Sequence, residues 1–284
     1  MGVGSTRTQI KRCSQKEQRF IDVVWEHYTQ RGRHSLPWRK TQNPYRILVS
    51  EVMLQQTQVD RVLPKYKAFL KEFPTVHALA KAPLSAVLIA WQGLGYNRRA
   101  KMLHRCAQEV VRSHKGVFPR EFVALLALPG VGPYTAAAVS AFAYNEPVPL
   151  IETNVRTVYI HHFFTGKDEV TDAEILALVA KTMSQENPRE WYWALMDYGS
   201  HLKKTVGNVN ARSKHYIKQS TFKGSDRQIR GAILRILAQE GKLSRSKLHA
   251  KLQQFEDIRI DAQIEKLLVE ELVVQEARSI RLAD

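Results

Sequence analysis

The segment Leu128-Pro129-Gly130-Val131-Gly132-Pro133-Tyr134-Thr135 constrains this chain more than any other. Two glycines one residue apart permit a tight turn that presents backbone N–H groups, and Pro133 suits the first turn of a helix. The small-residue run 136–143 continues that helix. The first N–H groups of a helix have no intrahelical acceptor and the helix dipole favours negative charge, so a phosphate can dock at such a turn through Gly130, Val131, Gly132 and Thr135. A monovalent cation held by the hairpin carbonyls would assist. The plainer alternative is an ordinary tight helix–helix turn. A Gly-x-Gly alone would not decide between them, whereas Leu-Pro-Gly-Val-Gly leading into a small-residue helix is far more specific.

The rest of the first two hundred residues is periodic in the same helical sense. Apolar residues recur at helical spacing over 15–31, 45–59, 62–73, 83–91, 98–114 and 120–128, separated by Pro, Gly or Asn, and strand-like alternation is scarce. An all-α body is expected. Lys and Arg number 43 against 27 Asp and Glu, a formal charge of +16 that favours a polyanionic partner, nucleic acid first. No stretch approaches the roughly 18 apolar residues of a membrane span, and the N-terminus lacks a signal-peptide core, so no membrane partner and an intracellular, DNA-associated location (cytoplasm or nucleoid) are expected. Met1-Gly2 with Thr6 fits a loose myristoylation pattern, which we attribute to chance. Two cysteines, Cys13 and Cys106, are too few for a disulfide framework, a four-thiolate zinc site or an iron–sulfur cluster, so no metal site is expected. His161-His162 has no Glu or Cys at ligand spacing and reads as packing or surface, and Trp191, Tyr192 and Trp193 read as core.

Composition shifts after Tyr198. Lys203, Lys204, Arg212, Lys214, Lys218, Lys223, Arg227 and Arg230 stand against one acid, Asp226, and the expectation is a basic linker over 203–225 that contacts DNA. Beyond it, 226–240, 244–255 and 261–271 read as helices, with short strands at 273–277 and 279–282. Three helices and a small β-ribbon describe a winged-helix-like domain over 226–284, equally compatible with a helical cap.

Two carboxylates stand out. Glu51 lies among Val49, Val52 and Leu54, and apolar neighbours raise a carboxyl pKa by desolvation, as a general acid working near neutral pH requires. Glu152 precedes Thr153-Asn154-Val155-Arg156 after an apolar run, where it can cap the next helix.

The motifs Leu36-Pro37-Trp38-Arg39, Ser50-Glu51-Val52-Met53-Leu54-Gln55-Gln56-Thr57-Gln58, Gly93-Leu94-Gly95-Tyr96, Leu128 to Gly132, Asn154-Val155-Arg156 and Met196-Asp197-Tyr198-Gly199 together resemble the helix-hairpin-helix (HhH-GPD) glycosylases. The likeness is strongest to those that remove adenine opposite 8-oxoguanine and covers roughly residues 15–200. It implies two helical lobes, 1–34 with 150–202 and a six-helix-barrel-like lobe over 35–149. It also implies a monomeric enzyme of base excision repair that hydrolyses the N-glycosidic bond of a mismatched or damaged base in double-stranded DNA. By the resemblance Glu51 is the acid that protonates the leaving base, Gln56 and Tyr96 enter the base stack, and Gln55, Thr57 and Asn154 contact the DNA. Tyr134 takes the place of the catalytic lysine of related bifunctional lyases such as endonuclease III. A phenol cannot form a Schiff base, so monofunctional hydrolysis is implied.

Two departures accompany the likeness. The family's catalytic aspartate aligns with Glu152, one methylene longer, and the four cysteines that follow the Met196-Asp197-Tyr198-Gly199 region are missing, so no iron–sulfur cluster and no required cofactor are expected. Two rival readings stand beside the adenine enzyme. One is a glycosylase for thymine or uracil opposite guanine, or for hypoxanthine; the other is a mismatch or lesion binder with weak catalysis.

Overall fold

The computed structural model describes residues 13–219 and 221–284, so the Met1-Gly2 and Thr6 pattern lies outside the described residues. The first eight helices are α1 (Gln15–Arg31), α2 (Pro44–Leu54), α3 (Val59–Glu72), α4 (Val76–Lys81), α5 (Leu84–Ala90), α6 (Arg98–His114), α7 (Phe122–Leu126) and α8 (Pro133–Tyr144). They are followed by α9 (Thr153–Phe163), α10 (Asp172–Thr182), α11 (Pro188–Thr205), α12 (Asp226–Glu240), α13 (Arg245–Lys251) and α14 (Asp257–Val269). Strands β1 (Lys242–Ser244), β2 (Val273–Glu276) and β3 (Ser279–Leu282) form one antiparallel sheet in the order β1-β3-β2, with Leu243 opposite Ile280 and Val274 opposite Arg281.

The chain forms two compact units. One takes in the described part of Met1–His34 together with Asn145–Tyr216, the other Ser35–Tyr144 together with Ile217–Asp284. In the first, α11 packs on α9 and α1 around Phe20, Tyr159, Trp191 and Tyr192, all buried. Gly199 makes the α9–α11 contact possible, since a Cβ there would lie 2.3 Å from the carbonyl oxygen of Asn154. Arg33 is bound to the buried Asp197 through its main-chain amide (2.8 Å) and its Nε (2.6 Å), which ties the end of the α1 region to α11.

The second unit is built around α8. Its residues 135–143 are all buried and mostly alanine, so it is apolar on every side, as a helix inside a lobe must be. Small side chains let α2 pack against it, and α2 is itself buried from Tyr45 to Met53 apart from Arg46. The C-terminal part runs helix, strand, helix, helix, strand, strand, the order of a winged helix, and α12 and β3 pack on α5. Lys101, 7% exposed, anchors it: Nζ donates to the carbonyl of Glu270 (2.5 Å) and to the Glu271 carboxylate (2.6 Å).

Two expectations need correction. The helix expected over 45–59 ends at Leu54, because Gln56 adopts a left-handed φ of 55° and a new helix starts at Val59. The segment 203–225 is not simply a linker. Lys203 and Lys204 form the last turn of α11, where cations suit the helix dipole, and Asn210 and Ser213 are buried beyond it. Val170 forms a parallel bridge with Ser213, and Arg212 donates to the carbonyls of Phe164 and Lys167. Residues 226–284 group with Ser35–Tyr144 in one compact unit.

Candidate active site

Glu51 is the one charged side chain buried on α2 and is 5% exposed. Tyr134, on the first turn of α8, donates its phenol O–H to Glu51 Oε2 at 2.7 Å. One turn further along α2, Gln55 Nε2 donates to Oγ1 of Thr135 at 3.3 Å. The α2–α8 packing thus brings together Glu51, Gln55, Tyr134 and Thr135 across about eighty residues of chain. A carboxyl with a phenol donor on one oxygen, set in an apolar wall, is a proton-handling group held in a fixed orientation.

The hairpin lies directly before α8. Gly130 is required by the fold: its φ is 75°, and a Cβ would lie 2.5 Å from Cβ of Met102. Gly132 is not, since its Cβ would point into open space with nothing within 4 Å. Ala136 donates to the carbonyl of Gly132 (2.9 Å), so the N–H groups of Tyr134 and Thr135 ahead of it have no intrahelical acceptor. Val131 is buried and its amide closes the turn on Leu128.

The two loops carrying Gln56 and Tyr96 are joined by Arg99, a residue the sequence reading passed over. Its Nη1 donates to the carbonyls of Val52 (2.7 Å), Met53 (3.1 Å) and Gln55, and its Nη2 to Thr57 Oγ1 (3.2 Å), Leu94 (3.1 Å) and Gly95 (3.2 Å). One guanidinium therefore satisfies the orphan carbonyls at the end of α2 and the turn before α6, leaving Gln56 (φ 55°) and Tyr96 (φ 46°) projecting from adjacent left-handed turns. Burial lowers the Arg99 pKa to about 10, and it stays charged at neutral pH. The neighbouring Arg98 is indistinguishable from it by residue type, which is why sequence alone did not single it out.

Glu152 sits in the other unit as the N-cap of α9. Its Oε1 accepts from the amides of Asn154 (2.8 Å) and Val155 (2.9 Å), and Oε2 from Asn154 Nδ2 (3.2 Å). Burial pushes this carboxyl above the ordinary range, against the pull of those amides and of Arg156. Glu152 and Asn154 are thus one hydrogen-bonded cluster. Lys203, Lys204 and Lys214 are exposed, whereas Arg212 is committed to main-chain carbonyls. The residues do not fit a four-thiolate cluster. Cys13 precedes α1, Cys106 is buried inside α6 with its thiol pushed up to about 12, and among the described residues no three His, Cys, Asp or Glu side chains converge as a metal site. No helix among them is long and apolar enough to cross a membrane.

A helical lobe with a glycine hairpin and a buried carboxyl–phenol pair defines a class, and the sequence comparisons agree: the chain belongs to the HhH-GPD superfamily of base excision DNA repair proteins, whose family model matches residues 49–182. Among individual relatives, it is 36% identical over 270 residues to a protein of Mycolicibacterium smegmatis named adenine DNA glycosylase, covering 87% of this chain and 90% of that one. It is likewise 36% identical over 274 residues to the adenine DNA glycosylase of Mycobacterium tuberculosis, covering 87% and 88%. Among solved structures, a thermostable thymine-DNA glycosylase superposes with a TM-score of 0.59 at 26% identity, over 65% of this chain and 86% of that one. Endonuclease III in a trapped covalent complex with DNA shares the fold, with a TM-score of 0.58 at 20% identity over 66% and 88%.

Proposed function

We propose that this protein is a monofunctional adenine DNA glycosylase that acts on adenine opposite 8-oxoguanine or guanine in duplex DNA. The observation that carries the reading is the buried Glu51 carboxyl held at 2.7 Å by the Tyr134 phenol, beside a hairpin whose Gly132 opens onto empty space. A phosphate of the bent duplex docks on the amides around Gly132, with a monovalent cation at the hairpin carbonyls, and Gln56 and Tyr96 fill the gap left by the extruded nucleotide. Extrusion costs a few kcal/mol, less at a mismatch. Glu51 gives its proton to a ring nitrogen, the glycosidic electron pair leaves with the base, and Glu152 supports the positive charge on the sugar. Water adds at C1′, and the proton it loses restores the Glu51 carboxyl. The products are free adenine and an abasic site. Tyr134 cannot form a Schiff base, so the strand stays intact. The reading needs no iron–sulfur cluster, and treats the enzyme as a monomer working on DNA inside the cell.

The test is base release from duplexes bearing adenine opposite 8-oxoguanine or guanine, alongside thymine, uracil and hypoxanthine mismatches, each with and without hot alkali. Cleavage of the adenine duplexes only after alkali is expected. Selective release of thymine or uracil would move the enzyme to the pyrimidine substrates, and tight binding without release would make it a lesion binder. Glu51→Gln is expected to lose about 10²–10⁴-fold in release while keeping its affinity for the duplex. Turnover near the parent rate would remove Glu51 from the role of acid.

A further inference from the structure

Tyr96 is 38% exposed on its left-handed turn, and its hydroxyl is not left to solvent. It accepts hydrogen bonds from Nη1 of Arg227 at 2.8 Å and from Nε2 of Gln219. The guanidinium carbons of Arg99 and Arg227 lie 5.6 Å and 5.8 Å from the ring centroid, cation–π distances for both. Arg227 belongs to the first turn of α12. The direction in which this phenol points is therefore set in part by the C-terminal module.

The helix that a winged helix would ordinarily offer to a DNA groove is occupied elsewhere. Of the charged side chains of α14, Asp261 and Glu265 pair with Arg245, Asp257 and Asp261 with His249, and Arg259 and Lys266 with Asp226. Beyond its end, Glu270 binds Arg230, and Glu271 binds Lys101 and Arg105. Its three acids, Asp257, Asp261 and Glu265, outnumber its two bases, Arg259 and Lys266, and their partners lie within the same unit. These pairs tie α14 to α12 and α13, and a helix so engaged is not a basic reading head.

We propose that the C-terminal module acts on DNA through the Tyr96 turn rather than through α14. Arg227 and Gln219 are positioning residues that hold Tyr96 ready to enter the base stack, and Arg227 carries a positive charge to the duplex beside it. This rests on the reading of Tyr96 as an inserted residue, but not on which base is excised. The hydroxyl of Tyr96 is the shared point: removing it and removing Arg227 break the same contact from opposite sides.

The experiment uses the full chain carrying Glu51→Gln and a duplex with a stable abasic-site analogue opposite 2-aminopurine, whose fluorescence rises when it is unstacked. No excision is needed, so a failed substrate assignment in the release assay leaves this readout intact. Tyr96→Phe and Arg227→Ala are each expected to slow brightening about tenfold, the worth of one charge-assisted hydrogen bond. The double variant is expected to be no slower than the slower single one, and Arg227→Lys to recover part of the rate. Thermal melts check that each variant is folded, and Tyr96→Phe reports on the same contact should Arg227→Ala fail to fold. Brightening absent in the parent, unchanged in Arg227→Ala, or lost additively in the double variant would overturn the proposal.

Discussion

At the scale of single side chains, the proposed chemistry rests on Glu51 and Tyr134. The phenol donates to one carboxyl oxygen of Glu51 at 2.7 Å and fixes the orientation of the group. Tyr134→Phe removes that donor without changing shape, and single-turnover release is expected to slow about tenfold with DNA affinity unchanged. A large loss of affinity instead would make Tyr134 a DNA contact. Glu152 offers a pH handle. Burial raises its pKa, and its proposed role requires the ionised form, so release should climb as pH rises through a value above the ordinary carboxylate range. Glu152→Gln has no carboxylate to ionise, and in release–pH profiles it should lose that acid limb together with most of the rate. A limb that survives the substitution belongs to another group. Glu152→Asp restores the family's residue and should keep the limb.

The hairpin is the element in which structural and functional glycines separate. Gly130 combines a φ of 75° with a close approach to Met102, so Gly130→Ala is expected to lower stability by more than about 1 kcal/mol in denaturant melts. Gly132 has a conformation that any residue tolerates and open space in front of it. Gly132→Ala should therefore melt with the parent and weaken duplex binding, because a methyl group then stands where the phosphate is proposed to dock. Wild-type binding by Gly132→Ala would place the phosphate elsewhere. Arg99 shows the complementary case. One buried guanidinium terminates α2, seats the turn before α6 and shapes both projecting loops, which no local signal around residue 99 announces.

For the molecule as a whole, acid sensitivity follows from histidines kept neutral by their surroundings. Burial lowers the pKa of His162 to about 4, and desolvation also lowers those of His27 and His104. The unfolded chain takes up protons on these rings near pH 6.5, before the folded protein does. Stability is therefore full above about pH 6.5 and falls as pH drops toward about 4, where His162 protonates in the folded state as well. Melting temperature measured across that window should decline, and His162→Gln should flatten the decline. A Tm that is level from pH 7 to 4 would contradict the assignment.

Several features were legible in the sequence because they are local. α1, α6, α12 and β3 span the residues that periodicity marks, since an amphipathic stripe needs no distant partner to be recognised. The Leu-Pro-Gly-Val-Gly hairpin, the apolar setting of Glu51 and the capping position of Glu152 were equally readable. Tertiary structure alone decided the rest. It ended α2 at Leu54 by spending Arg99 on its carbonyls, joined Glu51 to Tyr134 across 83 positions and Tyr96 to Arg227 across 131, and put the C-terminal residues in one unit with Ser35–Tyr144. Residue type and spacing determine which chemistry and which helices are available. Which arginine is buried, and which phenol it holds, depends on helix packing between distant segments, and no window along the chain contains that information.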